Sequence, residues 1–365
     1  MIIVAAMWSW QSLRAAPAAS IATVEMVHGR CVGCERPFQL GELQFLDVLE
    51  GWAVGFVVSV FNGHISQYSS ILHTTDGGLT WGALKSVDTY GVEVDPAFYF
   101  TDRRQGWIGW PGTDGEDRLI RTKDGGRSWR NLHARLEGTP VHLRLFDSQF
   151  GVAALSTSEG ARFAVTTNGG GIWKNQPIDL PYPDILLFLN RNVGWVGGVM
   201  NGTQGFTPRL FLTTNGGKSW SEASFPEKTS GDPRDLFFVN PEHGWLVLWN
   251  RGTKEPGSAL LESTDGGRSW IAHHISALDG IGRRANAVRF LSDKTGFVFI
   301  SDAATKESGI LSPSTNNAAV LSTVDGGRTW QRLALPAAVQ SCQVLRGEVW
   351  CSSGMDIMKI HAPVP

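Results

Sequence analysis

Neither sign of charge dominates this sequence. Its 365 residues hold 32 Lys and Arg against 34 Asp and Glu, a formal net charge of −2, and charged residues make up only 18%. Without a net positive field a chain cannot gather phosphates through its surface charge, so a basic nucleic-acid binder is excluded. No apolar run approaches the ~18 residues of a membrane-spanning helix. Disorder is excluded from the other side, because a hydrophobic content of 42% supplies enough apolar surface to fold.

Glycine and tryptophan are what the chain has in excess, 43 and 15 residues. Few charges, many glycines and many indoles suggest short aromatic strands joined by tight turns. Length alone allows two or three domains at ~150 residues each. Closed all-β architectures break that rule, so repeats are the first thing to seek.

One segment recurs six times, as [ST]-x-[DN]-G-G-x-[STI]-W. It opens at Thr74, Thr122, Thr166, Thr213, Ser263 and Thr323, with Asp76, Asp124, Asn168, Asn215, Asp265 and Asp325 at its third place. It closes on Trp81, Trp129, Trp173, Trp220, Trp270 and Trp330, at steps of 48, 44, 47, 50 and 60 residues. A second motif precedes each box. It reads Phe45-x-Asp47-x-x-x-Gly51-Trp52 and recurs from Phe100, Leu145, Phe188, Phe238 and Phe290. A seventh, shortened copy spans 342–350.

Glycine-containing turns between apolar runs are hairpin signals. Each unit therefore reads as four strands. Strand A ends at Phe-x-Asp, B starts at Gly-Trp, C runs into the box and D starts at the box Trp. Four strands per ~45–50 residues make one propeller blade. The expected fold is an all-β, seven-bladed β-propeller of antiparallel blades, one domain over 1–365. The last unit, about 341–361, lacks strand D. Trp10-Gln11-Ser12-Leu13 matches Trp330-Gln331-Arg332-Leu333, so a strand at about 8–14 is expected to complete that blade and leave no open edge. The rival reading is a signal peptide, from apolar 1–8 and small-residue-rich 15–19. It lacks a basic start and has a short apolar core.

The boxes read as scaffold. An Asp in an Asx turn accepts backbone N–H bonds, Gly supplies positive φ, and the Trp packs between blades. Asn168 and Asn215 keep the acceptor without the charge, a swap that acid catalysis or a metal does not tolerate. Neither cofactor nor metal is expected.

The six segments resemble Asp-boxes, the neuraminidase (BNR) repeats of sialidases and related propellers. Paired with the upstream F-x-D-x-x-x-G-W, they resemble more particularly the photosystem II stability/assembly-factor family over about 40–335. That resemblance implies a non-catalytic, monomeric scaffold outside the cytoplasm, binding a client protein or membrane complex without spanning the membrane. The alternative is a sialidase-like or other glycan-active or glycan-binding protein. The [FY]-R-I-P segment of sialidases is absent, only four tyrosines occur, and no H-E-x-x-H, G-x-S-x-G or P-loop is found. Asp114, Glu116 and Asp117 cluster on one loop, as a polar turn also would.

Variable loops locate recognition. The B–C connections (55–68, 110–117, 198–208, 249–258, 301–319) and D–A connections (85–96, 224–234, 274–285) share one rim. Its aromatics are Tyr68, Tyr90, Trp110, Tyr182 and Trp249. Its basic residues are Arg209, Arg234, Arg251, Lys254, Arg283 and Arg284. Trp110, Trp249, Arg209, Arg251, Arg283 and Arg284 are the expected partner contacts, since aromatics and arginine dominate binding hot spots.

Four cysteines form two close pairs. Cys342 and Cys351 lie symmetrically about Arg346-Gly347, so a two-residue hairpin places them face to face, suited to a disulfide and an oxidising compartment. Cys31 and Cys34 suit a small disulfide loop, a redox pair or, with His28, half of a zinc site.

Overall fold

The structure is a computed structural model. It describes residues 22–32, 38–61, 64–87, 95–112, 117–134, 136–202, 205–250, 257–278, 283–302 and 317–363. Seven sheets account for the strands, six of four strands and one of five. Blade 1 consists of Gln39–Phe45, Gly51–Phe61, His64–Thr74 and Thr80–Val87, each antiparallel to the next. Blades 2 to 6 repeat this order. Seven clusters of buried side chains lie between successive blades, and one joins Trp350 and Ile357 of blade 7 to Phe45 and Trp81 of blade 1. The ring is closed, a seven-bladed β-propeller.

The two sequence motifs meet on one phenylalanine. Trp52 of blade 1 stacks flat on Phe100 of blade 2, with ring centroids 4.1 Å apart and planes at 9°. Trp129 of blade 2 then meets Phe100 edge-on at 6.3 Å and 85°. Phe238 has the same two partners, Trp195 at 3.9 Å and Trp270 at 6.1 Å, as does Phe290 with Trp245 and Trp330. Both arrangements suit the aromatic quadrupole. The invariant spacing from Phe to Gly has a steric cause. A Cβ on Gly51, Gly106, Gly194, Gly244 or Gly296 would run into the ring of that unit's own phenylalanine.

Each box is held by its own side chains. Asp76 Oδ1 accepts from Thr74 Oγ1 and from Thr80 N, both at 2.8 Å, while its Oδ2 accepts the Thr80 hydroxyl at 2.5 Å. Asp124, Asp265 and Asp325 receive the hydroxyls of Ser128, Ser269 and Thr329 in the same way. Where Asn replaces Asp the chemistry adjusts. Asn215 Nδ2 donates to Ser219 Oγ at 2.7 Å, and Asn168 faces Ile172, which has no hydroxyl to offer.

These bonds hold the box carboxyls below their usual range. The Ser128 hydroxyl and amide bring Asp124 down to about 2. At Asp325 burial is the largest single influence and raises the carboxyl, but the bonds from Thr329, Thr323 and the Arg328 amide together outweigh it, and the result is again about 2. A depressed folded-state pKa contributes stability that is complete above the unfolded value, near 3.8, and disappears as pH falls through 2. The stability that the boxes contribute is therefore expected to be constant above about pH 4.5 and to fall steeply between about 4 and 2, which thermal melting in that acid range measures. Asp124→Asn, which copies the Asn215 box, should flatten part of that decline. An unchanged acid profile in this variant would contradict the assignment.

Ring closure differs in its residues from the sequence expectation. The outer strand of blade 7 is Thr23–Val27, antiparallel to Asp356–His361, so the sheet runs Thr23–Val27, Asp356–His361, Glu348–Ser353, Cys342–Leu345. Residues 8–14, expected in this place, lie outside the described residues. Val24 and Met26 alternate inward against the blade 6–7 core, which fits this stretch to the position. The chain then crosses to blade 1, where Arg30–Val32 adds a fifth strand parallel to Thr80–Val87. Gly29 makes the crossing. Its N–H donates to Asp356 Oδ1 at 3.1 Å, and a Cβ there would clash with the Met355 carbonyl. One segment thus ties the two blades that meet at the closure.

Cys342 and Cys351 are register partners and form a disulfide, Cα atoms 4.1 Å apart, across a turn in which Arg346 and Gly347 both have positive φ. Such a turn matches the strand twist. Cys31 is disulfide-bonded as well, and its expected partner Cys34 lies outside the described residues.

Candidate partner-binding rim and central channel

Both stereotyped turns share one rim. The Gly77 amide of the first box donates to Leu49 O in the A–B turn at 2.9 Å, and the Gly125, Gly169, Gly216, Gly266 and Gly326 amides repeat this bond. The opposite rim carries the B–C and D–A connections. Two of its expected loops are strand extensions. Gly51–Phe61 and His64–Thr74 stay paired out to Phe61–His64, and Gly194–Gly202 pairs with Gly205–Thr213 to the tip. Blades 1 and 4 therefore raise two long hairpins on this face.

The expected contact residues fare unequally there. Trp249 is only 7% exposed, so its indole belongs to the interior rather than to the rim surface. Trp110 is half-buried against the blade 1–2 core. Arg209 is consumed internally: Nε and Nη2 grip Glu222 at 2.6 and 2.9 Å, and Nη1 reaches Asp179 Oδ2 at 2.5 Å. The Glu222 bonds, with those of Asp179, raise its pKa despite partial burial. Trp249 and Arg209 are thus less open than the sequence reading expects, while Trp110 keeps part of its side chain exposed. Arg209 meets Glu222 on its own blade and Asp179 on the connection from the blade before, and Trp110 packs between two blades. Arg283 is exposed and Arg284 half-buried at the start of Arg283–Phe290. Arg283 lines a cavity of about 380 Å³ with Ile300, Ser301, Asn317 and Arg332. Arg234 lies 3.7 Å from buried Asp232. Tyr182 is 37% exposed. Arg251, Lys254, Tyr90, Asp114 and Glu116 lie outside the described residues, as do the side chains of Tyr68 and Asp117.

A set of polar groups on the innermost strands escaped the sequence reading. Gln44 caps the backbone of the next blade's Phe100, donating to its O at 2.7 Å and accepting from its N at 2.9 Å. Gln343 does the same to Phe45, at 2.8 and 2.7 Å. Asp235 accepts from Val288 N at 2.7 Å, and Arg289 donates to Cys342 O at 2.9 Å. An innermost strand has one unpaired edge, and these side chains satisfy it from the preceding blade. The residue just before the motif phenylalanine carries part of this signal in three units: Gln44, Tyr99 and Arg289 are polar where a buried strand should be apolar, whereas Leu187 and Phe237 are not.

Some of these residues line a cavity of about 410 Å³ in the channel, including Glu42, Gln44, Tyr99, Arg144, Arg289 and Gln343. Glu42 opens onto the channel water yet is ringed by protein. Burial, with the charge of Asp95, pushes its carboxyl up to about 7. His142, held by the Asp184 carbonyl at 3.1 Å, is pushed down by burial.

Residues 43–180 match the family model of the photosynthesis system II assembly factor YCF48. That stretch, over a third of the chain, is similar to the YCF48 family. Two solved YCF48 structures share its fold. One, with a bound D1 peptide, has a TM-score of 0.64 at 16% identity, over 94% of this chain and 99% of that one. The other, from Cyanidioschyzon merolae, has a TM-score of 0.59 at 17% identity with the same coverage. The GH74 enzyme of Niastella koreensis is also a propeller, with a TM-score of 0.53 at 12% identity, over 86% of this chain and 62% of that one. No curated protein matches the sequence. The YCF48-like stretch includes the boxes at Asp76, Asp124 and Asn168, so motif and family meet on the same residues. Among the described residues, no helix is long and apolar enough to cross a membrane.

Proposed function

We propose that the chain is a non-catalytic assembly-type propeller that docks a partner protein on the B–C/D–A rim, outside the cytoplasm. The observation that carries this reading is the YCF48 match over residues 43–180. A YCF48 structure holds a D1 peptide, which makes an extended segment of a client protein the ligand to test first. The two raised hairpins frame the docking surface, and Arg283 and Arg284 supply its charge, as arginine does at binding hot spots. The disulfides agree with an oxidising compartment, and the protein acts as a monomer.

The test uses client protein recovered with the full chain from its own host, together with a D1 peptide. Arg283→Glu/Arg284→Glu is expected to weaken binding by about tenfold or more while melting stays unchanged. The glycan-active alternative draws on the raised carboxyl of Glu42 beside Asp95, a pattern that acid–base pairs share. Failure to recover a reproducible partner, with glycoside turnover that Glu42→Gln abolishes, would overturn the proposal.

A further inference from the structure

Arg144 is half-buried in the channel, and no carboxylate among the described residues lies within 4 Å of it. Its guanidinium lies 4.8 Å from the Tyr99 ring centroid and 5.6 Å from that of Phe146. Nη1 donates to the Tyr99 hydroxyl. Nε is buried with no hydrogen-bond partner, so the guanidinium charge is only partly compensated. A desolvated cation in that state is costly unless an anion joins it.

Its neighbour shows what satisfaction looks like. Arg289, lining the same cavity, is paired with Asp235 and donates to the Val288 and Cys342 carbonyls. Gln44 and Gln343 are committed to the backbone of the next blade. The Tyr99 oxygen accepts from Arg144, so its own proton is available to a ligand. The cavity is of small-ligand size. Glu42 lines it as well, and its negative charge, when present, opposes a second anionic group.

We infer that the channel cavity is a binding site for a small monocarboxylate, held by the Arg144 guanidinium and by the Tyr99 hydroxyl. A charge-assisted hydrogen bond from a guanidinium favours a carboxylate over a neutral amide, and Tyr99 adds a second bond. The site is separate from the rim proposed for the partner protein and does not depend on it.

Calorimetric titration of the full chain with benzoate and acetate, against benzamide and acetamide at constant ionic strength, tests this. The acids are expected to bind saturably and the amides not. Arg144→Gln should weaken benzoate about tenfold or more, Arg144→Lys should restore only part of that, and Lys174→Gln on an exposed outer strand should change nothing. Should Arg144→Gln fail to fold, Tyr99→Phe decides, with an expected weakening of a few-fold. Equal binding of acid and amide, no saturable heat, or full-strength binding by the folded variants would overturn the proposal. So would binding of trialanine through its free C-terminus with no response to either acid, since the source would then be a chain end.

Discussion

Trp195→Ala is expected to lower the unfolding free energy by about 3–5 kcal/mol, as large-to-small changes at buried aromatics do. Trp195 is fully buried and stacks at 3.9 Å on Phe238 of the next blade. Its indole N–H donates to Gly266 O at 3.1 Å, inside that neighbour's box turn. Removal therefore opens a cavity between blades 4 and 5 and leaves a buried carbonyl without its donor. Gly267, beside the same indole, would lose its packing too. Because the ring is closed, the cavity cannot relax by sliding one blade along the other. Urea unfolding measures the loss. Ile172→Ala, at a side chain 68% exposed, should be near neutral. A Trp195→Ala cost below about 1 kcal/mol would contradict the stacking argument.

The second large effect is expected at the ring closure. Replacing both Cys342 and Cys351 with alanine should cost about 2–3 kcal/mol, the loop-closure entropy of a roughly ten-residue ring. Both residues sit in the core shared by blades 6 and 7, with Met358 and Ile360 of the strand that receives Thr23–Val27. Loosening this hairpin weakens the platform on which the chain closes. Reductant should destabilise the wild type by at least this amount, whereas the double variant should respond only through Cys31. A wild type indifferent to reductant, or one that carries free thiols by alkylation and mass spectrometry, would refute the bridge.

How much was legible in the residues follows from the range of the interactions. The boxes could be read because Thr74, Asp76 and Thr80 bond to one another within seven residues, so spacing and chemistry are visible together. The Cys342–Cys351 bridge could be read because a two-residue turn sets the register around it. The closing strand could not. Trp10-Gln11 resembles the start of an outer strand, but the place is defined by an edge more than 300 residues away, and Thr23–Val27 takes it. Trp249 and Arg209 looked like rim contacts because loop position says nothing of what a side chain meets in the folded ring. Asp179 and Glu222 meet Arg209 from 30 and 13 residues away. Arg144 and Tyr99 were passed over for the same reason, since their meeting depends on which blades are neighbours.

The sequence by itself determined the repeat, its turns, the seven blades and the residues that pack between them, because turn chemistry and two-residue alternation act over a few residues. Only the tertiary structure decided which segment closes the ring, which rim side chains stay exposed and which polar groups face each other across the channel. Those are contacts between distant strands, where closure of the ring brings groups together and burial selects among them.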